Sequence, residues 1–287
     1  HLPCPLDDDG KPVLNKTGMG SSAALVTSVT AAVMGAVGAN PKDKDRVHSA
    51  AQVAHCLAQG KVGSGFDVCS AVFGSMRYVR VSEQTMKAHT TRVDEGLAAP
   101  SPSNVAVGPP GGARTSLPLC SLPTVTHHQD PFGLPRGLTL VMADIRGGSE
   151  TPSMVRKILA WVSASKSDAQ PTWEALAASN ASVEELFKTL AGLESSPDYD
   201  AHLEACGVVC GDKWGDLGTP VGDCLRDLRA AFVDCRRLLK FMGDAAGVPV
   251  EPPQQTEAAN RTSALPGVVC CGVPGAGGFD ALFAIVV

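Results

Sequence analysis

Lys16-Thr-Gly-Met-Gly-Ser-Ser-Ala-Ala-Leu-Val-Thr-Ser28 is the stretch on which the fold turns. Two glycines and two hydroxyls run directly into an apolar segment. A helix start presents unpaired N–H groups and about half a positive charge. Glycines there let the backbone close around an anion without Cβ clashes. The stretch therefore reads as a phosphate cradle opening a helix, with Leu25, Val29, Ala32, Val33 and Ala36 at helical spacing and small alanines on the other faces. Such a helix is expected to be buried almost all round.

Outward from this stretch, Gly38 ends the helix, and Asn40-Pro41-Lys42-Asp43 signals a second one from about Pro41 to Gln59. Val47, Ala50, Ala54, Leu57 and Ala58 form its apolar side. His48, Gln52, His55 and Gln59 form a polar stripe that by spacing alone reads as a solvated face. That stripe ends at a second glycine-rich loop, Gly60-Lys-Val-Gly-Ser-Gly-Phe-Asp67. A helical turn and a strand at Arg77 to Val81 follow, and then a proline-rich tract in which residues 98–112 read as a long loop or insertion.

Leu138 to Asp144 has the composition of a buried strand. It enters Ile145-Arg-Gly-Gly-Ser-Glu-Thr-Pro152, which opens a helix with Val155, Ile158, Leu159 and Val162 on one face. Further helices are expected at about Trp173 to Ala191, Asp223 to Met242 and Pro253 to Ala264. Two apolar runs, Val268 to Val273 and Ala281 to Val287, flank Pro274-Gly-Ala-Gly-Gly-Phe-Asp280 and read as a hairpin with a wide loop.

The chain has 287 residues and a formal charge of −5, so it lacks the basic excess by which nucleic-acid proteins neutralise a phosphate strand. Ten cysteines in a chain this long read as reduced, buried thiols rather than a disulfide scaffold, and no C-x2-C pair or matching histidine set suggests zinc. No apolar run reaches the ~20 residues of a membrane span, and no signal peptide is evident. A start at His1, about fifteen residues before the cradle, suggests a chain whose beginning is missing.

Four loops now share one character: Gly18 to Ser22, Gly63 to Asp67, Gly147 to Thr151 and Gly275 to Asp280. Together they suggest backbone amides around several phosphates. None fits G-x4-G-K-[ST] or a dinucleotide fingerprint. Lys16 to Ala24 instead resembles the second motif of the GHMP kinases, the galactokinase, homoserine kinase, mevalonate kinase and phosphomevalonate kinase superfamily, and Gly272 to Asp280 resembles its third. Ala58 to Asp67 and Gly147 to Val155 are similar to the phosphomevalonate kinase branch of fungi and other eukaryotes.

That resemblance implies an α+β, two-domain GHMP kinase fold. Residues 1–136 would form an incomplete ribosomal S5 domain 2-like N-terminal domain, and residues 137–287 a ferredoxin-like C-terminal domain. It implies ATP and Mg2+ as cofactors and 5-phosphomevalonate as the small-molecule partner, with neither nucleic acid nor membrane. Lys16, Gly18, Gly20, Ser21, Ser22 and Ala23 would hold the ATP phosphates, with the Ser22 hydroxyl on Mg2+. Asp67, the family's catalytic aspartate, would act with Lys61. Ser64, Arg146, Ser149, Thr151, Ser153, Gly275, Ala276, Gly277 and Gly278 would hold the acceptor. Because a phosphate acceptor is already ionised near neutral pH, Asp67 is expected to orient and place charge rather than abstract a proton. Mevalonate kinases place a Mg2+-binding glutamate on the helix before the aspartate loop, where this chain has Gln52, His55 and Gln59. The expected location is cytoplasmic, with a peroxisome-type organelle left open. Another GHMP kinase with a different acceptor, and a non-catalytic GHMP-fold binding protein, are the alternatives.

Overall fold

The computed structural model describes residues 9–10, 20–78, 80, 82–84, 86–87, 90–91, 130–145, 151–279 and 281–287. Two compact units meet in sequence at Gly133 and Leu134: one covers Met19–Gly133 and the other includes Leu134–Val287.

The first unit holds α1 (Ser21–Ala36), α2 (Lys44–Gln59), α3 (Phe66–Phe73) and a two-residue antiparallel pairing of β1 (Met76–Arg77) with β2 (Asp130–Pro131). The second helix starts three residues later than its sequence signal suggested. Asp43 caps it, its carboxylate accepting from the Arg46 N–H at 3.2 Å, while Asn40 accepts from Lys42 N–H and closes a turn ahead of the helix. Proline at 41 belongs to that turn.

Of the strand expected at Arg77 to Val81 only Arg77 lies in a strand among the described residues, and two burial expectations for the helices are overturned. α1 is not buried all round: Leu25, Val29 and Val33 are 65%, 52% and 55% exposed, and only Ala23 and Thr27 are buried. Its neighbours α2 and α3 cover one narrow side, and no other described residue covers the leucine–valine stripe. The polar stripe of α2 is conversely not a solvated face. His48, Gln52 and His55 are all at most 4% exposed, whereas Ala58 on the nominally apolar side is exposed. His55 meets the Ser22 hydroxyl of α1, His48 packs on the Phe73 ring with centroids 5.5 Å apart, and Gln52 Nε2–H donates to Cys56 Sγ at 3.6 Å within α2.

The second unit contains β3 (Thr139–Asp144), α4 (Thr151–Ala164), α5 (Lys166–Leu193), α6 (Tyr199–Gly207), a 3-10 segment (Gly211–Leu217), α7 (Pro220–Ala246), α8 (Pro253–Ser263), β4 (Val268–Gly272) and β5 (Ala281–Val286). Its antiparallel sheet runs β3-β5-β4, with Thr139 opposite Val286 and Gly272 opposite Phe283. β4 and β5 confirm the expected hairpin. β3 forms where expected but is an exposed edge strand, with Leu140 52% and Val141 47% exposed. A short apolar run has the same composition in either position, so composition did not distinguish edge from centre.

α7 carries the core. Leu225 and Leu228 are fully buried, and Cys235 and Leu238 pack against Leu176 of α5. Thr219 caps this helix, accepting from Gly222 N–H at 3.0 Å. In α4 the buried residue is Met154, beside half-buried Ile158 in a cluster with Val248 and Val250, while Val155 and Leu159 are exposed. The expected face is thus rotated. α6 was not anticipated. Its Tyr199 is fully buried, with its hydroxyl donating to the Arg136 carbonyl at 2.8 Å. Trp214 in the adjoining 3-10 segment donates to the Cys206 carbonyl at 2.9 Å.

Candidate functional site

In the first unit, three small side chains set the geometry. Ala23 of α1, Ala51 of α2 and Val68 of α3 are all fully buried against one another. Residues this small let the three helices approach closely, and two contacts follow. The Ser22 hydroxyl lies 3.3 Å from His55 Nε2, and the Gln59 amide nitrogen lies 2.9 Å from the same ring atom. Gly20, at the start of α1, comes so near Asp67 that a Cβ there would lie 3.5 Å from the aspartate Cβ.

Two helix N-termini therefore meet: α1 begins after Gly20, and α3 begins after Gly65 with Asp67 in its first turn. Asp67 accepts from the Val68 N–H at 3.0 Å and is partly exposed. Ser21 and Ser22 are exposed beside the positive end of α1. The combination suits a polyanion: backbone donors and hydroxyls to hold it, and one carboxylate to place a second charged group.

The loop before Asp67 is held from two sides. Tyr78 donates its hydroxyl to the Ser64 carbonyl at 2.6 Å. Gly65 has φ +83°, and an added Cβ would sit 2.7 Å from Gln52 Oε1 and 2.8 Å from the Tyr78 hydroxyl. Only glycine fits both the backbone conformation and the gap. Gln52 Oε1 is buried and has no hydrogen-bond partner among the described residues. Lys61 is exposed in the same loop, its backbone N–H on the Cys56 carbonyl at 3.2 Å. Ser64 is also exposed. Lys16 and Gly18 lie outside the described residues.

Sequence reasoning singled out the stripe that supplies His55 and Gln59 but did not connect it to Ser22. Tyr78 carried no signal at all, because its role depends on a contact fourteen residues away in sequence.

In the second unit, the glycine loop after β4 divides into tip and anchor. Gly275 is exposed and Ala276 half-buried, whereas Gly277 and Gly278 are buried. The Gly277 N–H is taken by the Pro274 carbonyl at 3.2 Å and the Gly278 N–H by the Val250 carbonyl at 2.8 Å. Gly277 and Gly278 thus seat the loop, which leaves Gly275 and Ala276 as its presented backbone. Of the other predicted residues, Ser153 is half-buried in the first turn of α4, which begins at Thr151; Arg146 and Ser149 lie outside the described residues.

The four most strongly shifted thiols among the described residues are poor nucleophiles. Burial pushes Cys69, Cys206 and Cys224 up to about 11 and Cys270 up to about 12, so these thiols stay neutral near pH 7. Among the described residues no group of three His, Cys, Asp or Glu side chains could hold a metal. A Mg2+ bound chiefly through substrate phosphates and water needs only one or two protein oxygens. The exposed Ser22 hydroxyl and Asp67 carboxylate are of that kind. No described helix is long and apolar enough to cross a membrane.

Residues 10–75 match the family model of the GHMP kinases N terminal domain. A peroxisomal phosphomevalonate kinase of Arabidopsis thaliana is 37% identical over 96% of this chain and 56% of its own length. A phosphomevalonate kinase of Aspergillus fumigatus is 34% identical over 95% of this chain and 50% of its own length. The chain therefore spans about half the length of the curated relatives it matches. The crystal structure of a Lin0012 protein from Listeria innocua superposes with a TM-score of 0.55 at 18% identity, covering 98% of this chain and 62% of that one, which shows a shared fold. The chain is thus similar along nearly its whole length to phosphomevalonate kinases, and its residues 10–75 carry the GHMP kinases N terminal domain.

Proposed function

We propose that this GHMP-fold homologue acts in transfer of the ATP γ-phosphoryl group to the phosphate of (R)-5-phosphomevalonate, giving 5-diphosphomevalonate and ADP. The observation that carries the proposal is the meeting of the α1 and α3 N-termini around Ser21, Ser22 and Asp67. Phosphoryl transfer asks a protein for positioning and charge stabilisation and for little covalent chemistry. This site supplies those two things.

Lys16, Gly18, Gly20, Ser21, Ser22 and the Ala23 backbone hold the nucleotide phosphates. The Ser22 hydroxyl would hold Mg2+, which would supply neutralisation of phosphate charge. His55, within hydrogen-bonding distance of Ser22, keeps that hydroxyl from rotating away. The acceptor phosphate attacks the γ-phosphorus, a new P–O bond forms and the bond to the β-phosphate oxygen breaks. No proton need be removed from the attacking oxygen, so Asp67, with Lys61, orients the reacting groups. Ser64 in the first unit, and separately Arg146, Ser149, Thr151, Ser153 and the Gly275–Ala276 tip in the second, are each assigned to the acceptor.

The deciding experiment supplies the full-length protein with ATP, Mg2+ and either 5-phosphomevalonate or mevalonate. ADP release with 5-phosphomevalonate alone is expected; turnover of mevalonate alone would reject the acceptor assignment. We place the activity in the cytoplasm; the Arabidopsis thaliana relative is a peroxisomal phosphomevalonate kinase, and imaging a tagged full-length protein separates the two locations.

A further inference from the structure

Beneath the glycine loop lies a buried ion pair to which the proposed chemistry assigns no role. Arg236 of α7 donates from Nε to Glu251 Oε2 at 3.0 Å and from a terminal nitrogen to Oε1 at 2.6 Å. The same terminal nitrogen donates to Asn260 Oδ1 of α8 at 3.1 Å. The Glu251 side chain is 3% exposed and that of Arg236 18%. A carboxylate buried this deeply is tolerated only with its partner in place, and the planar guanidinium fork fixes both distance and direction.

The position of this pair is informative. Glu251 directly follows Val250, whose carbonyl accepts the Gly278 N–H. The Arg236 stem fills the space beside Gly272, where a Cβ would lie 3.4 Å from its Cδ, so Arg236 also supports the strand end from which the loop departs. Gly277 lies so close that its Cβ would fall 2.1 Å from the Val250 carbonyl oxygen. One arginine thus braces the departure of the loop at Gly272 and, through Glu251, its return at Gly278.

We infer that the Arg236–Glu251 pair is a positioning device for the Gly275–Ala276 tip. It fixes the Val250 carbonyl from which the loop hangs and so sets where the tip presents its backbone to a phosphate. Neither residue is a catalytic residue. The identity of that phosphate as the acceptor's rests on the proposed function; the bracing of the loop does not.

The test uses Arg236→Lys and Glu251→Asp in the full-length protein. Both keep the charges while changing the fork or shortening its reach. Three quantities are measured: amide hydrogen exchange across 272–279 without ligand, KM and kcat for each substrate, and Tm. In Arg236→Lys, Gly278 exchange is expected to rise about tenfold or more. KM for 5-phosphomevalonate should rise about tenfold, with KM for ATP within about twofold. Glu251→Asp should move both in the same direction and carries the test should Arg236→Lys fail to fold. Unchanged exchange in the loop, or equal rises in both KM values, overturns the inference. A wild-type protein inactive on 5-phosphomevalonate defeats the proposed function instead, and the exchange measurement still decides the bracing.

Discussion

Gly275 and Gly277 share one loop and a left-handed backbone, with φ +66° and +81°, but differ in the space around them. A Cβ at Gly275 meets nothing within 4 Å, whereas one at Gly277 falls 2.1 Å from the Val250 oxygen. Alanine at 275 should therefore cost only the left-handed strain, about 1–2 kcal/mol. Alanine at 277 carries the same strain and a clash. An ordinary carbon–oxygen approach is no closer than about 3.3 Å, so the loop must give by about 1 Å. That displacement breaks the Gly278 bond to Val250, worth about 0.5–1.5 kcal/mol net. Thermal unfolding of the two variants in parallel should place Gly277→Ala roughly 1–6 °C below Gly275→Ala, at about 2–4 °C per kcal/mol for a chain of this size. The 277 variant should also show the weaker acceptor binding. Coincident melting curves for the two would refute the assigned roles of anchor and tip.

Two further outcomes are expected. Asp67→Asn should lower turnover about a hundredfold or more while leaving the nucleotide Kd within a few-fold, because it removes charge placement without disturbing the α1 cradle; steady-state kinetics and nucleotide titration check it, and unchanged turnover rejects the role. The buried thiols of Cys69, Cys206, Cys224 and Cys270 titrate at about 11 to 12 when folded, against about 8.5 in an unfolded chain. Above about pH 8.5 the unfolded chain binds fewer protons than the native one, so stability is intact below that point and declines toward pH 12. Urea midpoints at pH 8 and pH 10 should show the fall, and an equal midpoint at both would contradict it.

Much of this architecture was legible because it rests on local rules. Apolar spacing announced α7 from about Asp223, Pro253 announced α8, and the glycine-interrupted apolar runs announced the β4–β5 hairpin. The burial errors share one cause. Leu25, Val29 and Val33 are apolar and exposed, whereas His48, Gln52 and His55 are polar and buried. Periodicity reports that a helix has faces but not what lies opposite each face. The same limit explains the site. Gly20, Ser22 and Asp67 were visible as motif residues, but the Ser22–His55 contact spans thirty-three residues and exists only because two helices meet. The division of the glycine loop was equally hidden, since four small residues in a row do not say which of their N–H groups is already engaged.

Ala23, Ala51 and Val68 have a bearing on protein engineering. They form a spacer of two methyl groups and one isopropyl group, and the separation of a hydroxyl from an imidazole follows from its thickness. Tuning such a site need not begin with residues that face the ligand. A library varying only these three positions among glycine, alanine, serine and valine samples the spacing of the phosphate cradle in sub-ångström steps while leaving every polar group in its original chemical form.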